Sequence, residues 1–250
     1  MKKLIMLLLA VIIALPCMAA SADAGNIPIL LYHMVEEEDA GLDVIVSVTP
    51  AQLRLHLETI KNNGYTPITF TDYYNFITKG TKLPKKPVLI TFDDGYLNNY
   101  QYLYPLLREF DMKATIFVVA GTVGTTPGKY PHFTWEQARE MEESGYVDIQ
   151  SHTYSHSDMT SLTPEQVRYE LRMSRYLIEK NLNKKCEFLA YPYGYYNDEV
   201  LRIATDAGYI VTAQVANEIS TAATARTVPL KRITTWGSLT PEQLLEVMEK

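Results

Sequence analysis

Short apolar runs alternate with longer amphipathic stretches along most of the chain. Ile27–Tyr32 is almost continuously apolar, which is typical of a strand buried on both faces. The same pattern predicts further strands at Thr66–Phe70, Pro87–Phe92, Ala114–Ala120, Val147–Gln150, Glu187–Tyr191, Ile210–Gln214 and Leu230–Thr234. Segments with helical spacing of apolar residues separate most of these strands.

Four helix starts carry the same signal, a threonine followed three residues later by a glutamine. The threonines are Thr49, Thr134, Thr163 and Thr240. In such a pair each side chain accepts a hydrogen bond from the other residue's backbone N–H, so each pair predicts a helix N-terminus. Three of the four have proline at the first helical position, where its missing N–H costs nothing.

Alternating strands and helices over one chain indicate an α/β fold with a parallel sheet. We expect a single domain, built as a distorted parallel (β/α) barrel of about seven to eight strands. An open, doubly wound sheet is the alternative. Residues 36–48 are an acidic connection rather than a domain boundary.

The first residues predict a targeting segment. Lys2 and Lys3 precede an apolar run, Leu4–Leu15, that suits the core of a signal peptide, and small residues follow it. We expect a signal peptide at 1–22 and the folded domain at 23–250, in a bacterial protein that is secreted or associated with the cell envelope. Cys17 raises the alternative of a lipid anchor, although Pro16 before it fits such a site poorly. No second apolar span follows, so we expect no transmembrane segment after cleavage.

Composition narrows the classes of partner. There are 23 Lys and Arg residues against 29 Asp and Glu residues, and no basic run, so we expect no nucleic-acid partner. The chain also has 18 tyrosines. Their apolar faces and polar tips suit a sugar-binding groove, and they suit a half-buried sheet equally well.

Side chains capable of chemistry follow three of the predicted strands. Asp93 and Asp94 follow Pro87–Phe92, His152 and His156 follow Val147–Gln150, and His33 ends the first strand. Active sites of β/α barrels lie at the carboxyl ends of the strands, so we expect these side chains to lie together.

An aspartate and two histidines form a set of metal ligands. Histidines four residues apart, such as His152 and His156, can bind one ion, and three protein ligands leave a position open for water. A divalent metal is therefore expected, zinc by default, although cobalt, nickel or iron would suit the same ligands. Adjacent aspartates point in different directions, so one can bind metal while the other transfers a proton. An acidic turn before Gly95 is the alternative.

Three segments carry a family resemblance: Thr91-Phe92-Asp93-Asp94-Gly95, His152-Thr153-Tyr154-Ser155-His156 and Tyr191-Pro192-Tyr193-Gly194. Their sequences, order and intervals closely resemble the first three motifs of the NodB-homology polysaccharide deacetylases, carbohydrate esterase family 4. The resemblance covers the chain from about Ile27 to Thr234. The segment Ile29–Val35 resembles the subgroup that includes poly-N-acetylglucosamine deacetylases.

This resemblance implies a distorted β/α barrel that removes N-acetyl groups from an extracellular polysaccharide containing N-acetylglucosamine and releases acetate. It implies that Asp93 is the catalytic base and that Asp94, His152 and His156 bind the metal. It also implies that the backbone N–H of Tyr193 binds the oxyanion formed in the reaction.

The chain departs from the family pattern in two places. Ala190 occupies the position of an arginine that commonly contacts the catalytic aspartate, and no histidine follows His156 to act as the usual general acid. The acid must then be another group, or the proton of the metal-bound water returned through Asp93. His33 is the one unassigned candidate, with a packed imidazole beside Tyr32 as the alternative. Arg232, on the last strand, could replace the missing arginine, but we expect it to be solvated.

Several functions remain open on the sequence alone. The polymer could be peptidoglycan, a chitin oligomer or acetylated xylan, and a catalytically silent carbohydrate-binding protein is also compatible. A glycosidase would need its two carboxyl groups roughly 5–10 Å apart on either side of a sugar bond, and adjacent aspartates suit that poorly. Four aromatic side chains could stack on sugar rings: Tyr154, Tyr195, Tyr196 and Trp236.

Overall fold

The computed structural model describes residues 26–37, 47–221 and 228–249. The signal peptide predicted at 1–22, with Cys17, lies outside these residues, as does most of the predicted acidic connection. Among the described residues, no helix is both long and apolar enough to cross a bilayer.

Twelve strands are formed by the described residues. They are β1 (Asn26–Ile27), β2 (Ile29–Tyr32), β3 (Met34–Val35), β4 (Ser47–Val48), β5 (Thr66–Ile68), β6 (Pro87–Asp94), β7 (Ala114–Val118), β8 (Val147–Ser151), β9 (Phe188–Ala190), β10 (Val211–Val215), β11 (Ser220–Thr221) and β12 (Leu230–Thr234). Each of the eight predicted strands is present, with ends that differ by a few residues.

Seven α-helices accompany them in the described part of the chain. They are α1 (Pro50–Asn62), α2 (Phe70–Lys79), α3 (Tyr104–Phe110), α4 (Trp135–Glu143), α5 (Pro164–Leu182), α6 (Asp198–Asp206) and α7 (Pro241–Met248). The four predicted threonine–glutamine capping boxes are confirmed at the starts of α1, α4, α5 and α7.

Two strand boundaries differ from the prediction for local reasons. Pro28 separates β1 from β2, since proline has no N–H to donate to a sheet. The predicted strand Thr66–Phe70 ends at Ile68, and Phe70 begins α2. Thr69 caps α2 in a fifth capping box, in which Asp72 takes the place of the glutamine.

The sheet closes into a barrel. Seven parallel strands form the ring in the order β2, β12, β10, β9, β8, β7, β6, and β6 pairs back to β2 with Leu30 opposite Ile90. The first residues of β6 pair with an additional strand, β5, before its later residues reach β2. The (β/α) barrel is therefore confirmed, and the ring closure excludes the open sheet.

Two apolar clusters pack on opposite faces of the barrel strands. One lies between the strands and the helices, and the other fills the interior with residues such as Leu89, Phe117 and Leu230. Successive side chains of a strand alternate between faces. Asp93 is four residues beyond Leu89 on β6, and Arg232 is two beyond Leu230 on β12, so both side chains share the interior face.

Candidate active site

Asp94, His152 and His156 converge at the carboxyl ends of β6 and β8. One ligand atom from each lies within 4.8 Å of the others. The Nε2 atom of His156 is 3.4 Å from Asp94 Oδ1, and Nε2 of His152 is 3.8 Å from the same oxygen. The structure thus brings together the three residues predicted as metal ligands.

Hydrogen bonding orients His152 for coordination. Its Nδ1 lies 2.8 Å from the carbonyl oxygen of Ala190 and is hydrogen-bonded to it. A carbonyl only accepts, so Nδ1 carries the proton and Nε2 presents its lone pair towards Asp94 and His156. Burial lowers the pKa of His152 to about 3 and also lowers that of His156. Both imidazoles are therefore neutral near pH 7, which is the metal-binding form, so the donor set fits a divalent ion.

Asp93, the predicted base, is held by Arg232 inside the barrel. Arg232 donates from Nη1 to Oδ1 at 2.6 Å and from Nη2 to Oδ2 at 2.7 Å. Asp93 is 2% exposed and Arg232 is fully buried, so the expectation that Arg232 is solvated is wrong. A guanidinium has no room for hydration there and makes two parallel bonds to the carboxylate instead. Arg232 thus makes the contact to Asp93 that the family resemblance would assign to an arginine at the position of Ala190.

The two aspartates differ in electrostatic environment. Burial raises the pKa of Asp93, but the charge and the hydrogen bonds of Arg232 outweigh that effect and hold its pKa below its usual range. For Asp94, burial raises the pKa to about 6, with the charge of His33 opposing the shift and that of Asp93 adding to it. Asp93 is consequently ionised near neutral pH without a metal, whereas a cation would favour the ionised form of Asp94.

His33 is half-buried directly after β2, and its backbone oxygen accepts a hydrogen bond from Asn99 Nδ2 at 2.9 Å. When protonated, its imidazole lowers the pKa of both Asp93 and Asp94, which places it within electrostatic reach of the pair. The imidazole that packs against Tyr32 belongs to another residue, His56, whose Nδ1 lies 3.1 Å from the tyrosine hydroxyl. The role of His33 as the acid stays a prediction.

Tyr193 occupies the tight turn Pro192–Gly194, where its φ of 60° lies outside the helical region. The hydrogen bonds of this turn run from Gly194 N to Tyr191 O and from Tyr195 N to Pro192 O, so they do not use the N–H of Tyr193, which can serve an external oxyanion. Its ring is 58% exposed and lies edge-on to His156, with 4.8 Å between ring centroids. Gly194 allows this turn to pack closely, because a Cβ there would lie 2.7 Å from the backbone nitrogen of Val215.

The backbone conformation of the site is unusual. Of the seven described non-glycine residues with positive φ, four are Asp94, Thr153, His156 and Tyr193. Threonine, histidine and tyrosine rarely adopt this left-handed region, and such residues persist where the surrounding structure fixes them, often at functional sites.

Glu170 on α5 fixes the loop that carries the two histidines, a function that the sequence reading missed. It is 7% exposed and accepts hydrogen bonds from Tyr154 N at 3.0 Å, Ser155 N at 2.8 Å and Ser155 Oγ at 2.7 Å. A carboxylate on the buried face of α5, between Val167 and Leu171, was the available signal, since a buried charge requires partners.

The aromatic side chains suggested for sugar stacking differ in exposure. Tyr195 is 56% exposed and Trp236 is 43% exposed. Tyr154 and Tyr196 are half-buried. The ring of Tyr196 stacks on that of Tyr191, with 5.5 Å between the ring centroids.

The chain is similar to proteins of one known family. Residues 80–212, just over half of the chain, match the family model described as polysaccharide deacetylase. The chain belongs to the polysaccharide deacetylase family. YxkH of Bacillus subtilis, a protein named for this family, is 36% identical over 185 residues, which cover 74% of this chain and 63% of that protein.

Two further relatives are similar over most of the chain. The poly-β-1,6-N-acetyl-D-glucosamine N-deacetylase of Escherichia coli K12 is 27% identical across 88% of this chain, but the match covers only 38% of that enzyme. The deacetylase PplD of Streptococcus pyogenes, solved in complex with acetate, is 31% identical with a TM-score of 0.81, covering 90% of this chain and 99% of the other. The chain thus spans less than two thirds of the two curated relatives' lengths.

Proposed function

We propose that this protein is a secreted or cell-envelope-associated, metal-dependent deacetylase of a polysaccharide containing N-acetylglucosamine. One observation carries the proposal: the buried carboxylate of Asp93, which is bound to Arg232, lies beside three side chains that could bind a metal ion. Asp93 Oδ2 is 3.5 Å from Nε2 of His152. The E. coli relative is named for deacetylating poly-β-1,6-N-acetyl-D-glucosamine, and the S. pyogenes structure holds acetate, the product that deacetylation releases.

A divalent ion, zinc by preference, would be held by Asp94, His152 and His156. When bound, it would polarise the acetyl carbonyl and lower the pKa of water. Asp93 takes the proton of the attacking water as general base, and Arg232 keeps its carboxylate ionised and fixed in orientation. Water adds to the acetyl carbon and the amide C–N bond breaks, so the sugar keeps a free amine and acetate leaves.

Two further groups take part in the reaction, one as a donor to the oxyanion and one as the general acid. The N–H of Tyr193 donates to the oxyanion as the carbonyl becomes tetrahedral. His33 in its protonated form gives a proton to the leaving nitrogen, which converts a poor leaving group into an amine.

The decisive experiment measures acetate released from N-acetylglucosamine oligomers by the purified chain. Activity that a chelator abolishes and zinc restores is expected. Shortening of the oligomer would instead indicate a glycosidase, and binding without acetate release would indicate a catalytically silent protein. Parallel assays on peptidoglycan, chitin oligomers and acetylated xylan would identify the polymer.

A further inference from the structure

A face of α5 that the proposed chemistry does not use is rich in exposed aromatic surface. We call it the α5 tyrosine face. It lines an open concavity of about 540 Å³ and consists of Glu165, Arg168, Tyr169, Arg172, Met173 and Tyr176. These positions recur at intervals of three and four residues, so they form one stripe along the helix.

Two tyrosines dominate this face. Tyr169 is 53% exposed and Tyr176 is 54% exposed, although large aromatic side chains usually bury most of their surface. They are seven residues apart, which separates them by two helical turns, roughly 10 Å along the axis. Met173 lies between them and extends the apolar strip.

The α5 tyrosine face is continuous with the candidate metal site. The ring of Tyr169 contacts that of Tyr154 edge-on, with 5.7 Å between centroids. Tyr154 belongs to the loop between the proposed ligands His152 and His156. The backbone N–H of Tyr154 donates a hydrogen bond to Glu170, which is next to Tyr169 on α5. The stripe therefore begins at the loop that holds the metal ligands and leads away from it.

The chemistry of the face suits a glycan more than an apolar partner. Its large side chains combine flat rings with hydroxyl groups, and Arg172 supplies planar donors for sugar hydroxyl and acetyl oxygens. The other arginine of the face, Arg168, is paired with Glu165 at 3.0 Å. The face contains no leucine, isoleucine or phenylalanine, which would mark a surface for a membrane or a hydrophobic protein interface.

Building on the deacetylase function proposed above, we propose that the α5 tyrosine face binds a second segment of the polysaccharide chain, away from the sugar that reacts. Tyr169 and Tyr176 stack on sugar rings, and Arg172 donates to their oxygens. A polymer bound at both places has a high effective concentration at the active site, whereas an oligomer too short to reach α5 gains nothing.

The test compares long and short substrates in the full chain. The double variant Tyr169→Ala/Tyr176→Ala should raise KM for acetate release from long-chain poly-N-acetylglucosamine about tenfold or more. Its kcat, and its KM for the shortest N-acetylglucosamine oligomer that the wild type deacetylates, should stay within twofold. Leu55→Ala is the control, because Leu55 is also a large exposed side chain, at 43%, on the separate helix α1.

An unchanged KM on the polymer would overturn the proposal, and so would an equal loss on both substrates, which would show damage to the active site. A change of oligomeric state in the double variant, with polymer KM unaltered, would assign the face to protein contacts instead. If the wild type releases no acetate at all, the deacetylase function fails. Cosedimentation with the polymer, lost in the double variant but kept in Leu55→Ala, would then still support the α5 tyrosine face as a glycan site.

Discussion

Arg232 and Asp93 form a two-bond ion pair across the barrel interior, between the middle of β12 and the carboxyl end of β6. Neither side chain has appreciable contact with solvent, and the guanidinium also lies over the ring of Phe117 at 5.4 Å. The pair couples stability to chemistry, because the same arginine satisfies a buried charge and keeps the proposed base ionised.

Replacing Arg232 should lower both the stability of the fold and the activity that depends on an ionised Asp93. Arg232→Met leaves Asp93 as an uncompensated buried carboxylate, so we expect a loss of about 3–5 kcal/mol in the free energy of unfolding. Arg54→Met is the matched control, since Arg54 makes the same two-bond contact to Glu109, at 2.5 and 2.6 Å, on the exposed surface. Denaturant unfolding of both variants measures the difference; equal effects would contradict the special role of the buried pair.

The metal assignment predicts the behaviour of His152→Ala. Loss of one of three ligands should remove most of the bound zinc from protein purified and re-equilibrated with the ion. Elemental analysis measures zinc per chain, and His56→Ala serves as control, because His56 bonds Tyr32 and Leu239 rather than the ligand set. Full retention of metal and activity by His152→Ala would refute the assignment.

Asp93 and Asp94 should separate base from ligand. Asp93→Asn is expected to lower kcat by about 10²–10⁴-fold while zinc binding is largely kept, because a base is lost and a ligand is not. Asp94→Asn should weaken zinc binding itself. Zinc titration and turnover of both variants decide the matter, and equal loss of metal would mean that the aspartates act as one ligand unit.

His33→Ala tests the general acid. We expect kcat to fall by about 10²–10⁴-fold, with zinc content and thermal unfolding unchanged. A loss of turnover with zinc content and thermal unfolding unchanged would distinguish the acid from a packing residue, since loss of packing lowers stability. Near-normal turnover would contradict the role of His33 as the acid and would leave it a packing role.

A stability prediction concerns Lys184, far from the proposed chemistry. Its Nζ contacts Glu142 at 2.7 Å and Asp148 at 2.5 Å, and Asp148 is buried. Lys184→Met leaves two carboxylates without their cation and should cost about 3–5 kcal/mol in the free energy of unfolding. Lys185→Met, at the exposed next position, should change it little. Similar unfolding midpoints for the two variants would contradict this account.

Much of the fold was accessible from local sequence patterns. Mostly apolar runs locate the barrel strands, because a strand covered on both faces has little contact with water. Threonine–glutamine pairs locate helix starts, because the two side chains satisfy N–H groups within four residues of each other. The cap at Thr69 was not predicted, because Asp72 takes the place of glutamine as the acceptor in that capping box.

Four side chains of the candidate site could also be picked out from the sequence, because they follow predicted strands whose carboxyl ends meet in a barrel: Asp93, Asp94, His152 and His156. The partners of these side chains could not be predicted in this way, because they come from distant parts of the chain. Arg232 is 139 residues from Asp93 along the chain, and their contact depends on strand order, register and the closure between β2 and β6. Glu170 reaches the histidine loop for the same reason. Local patterns report which face of a strand or helix is buried, but the identity of the side chain opposite is set by packing between distant segments.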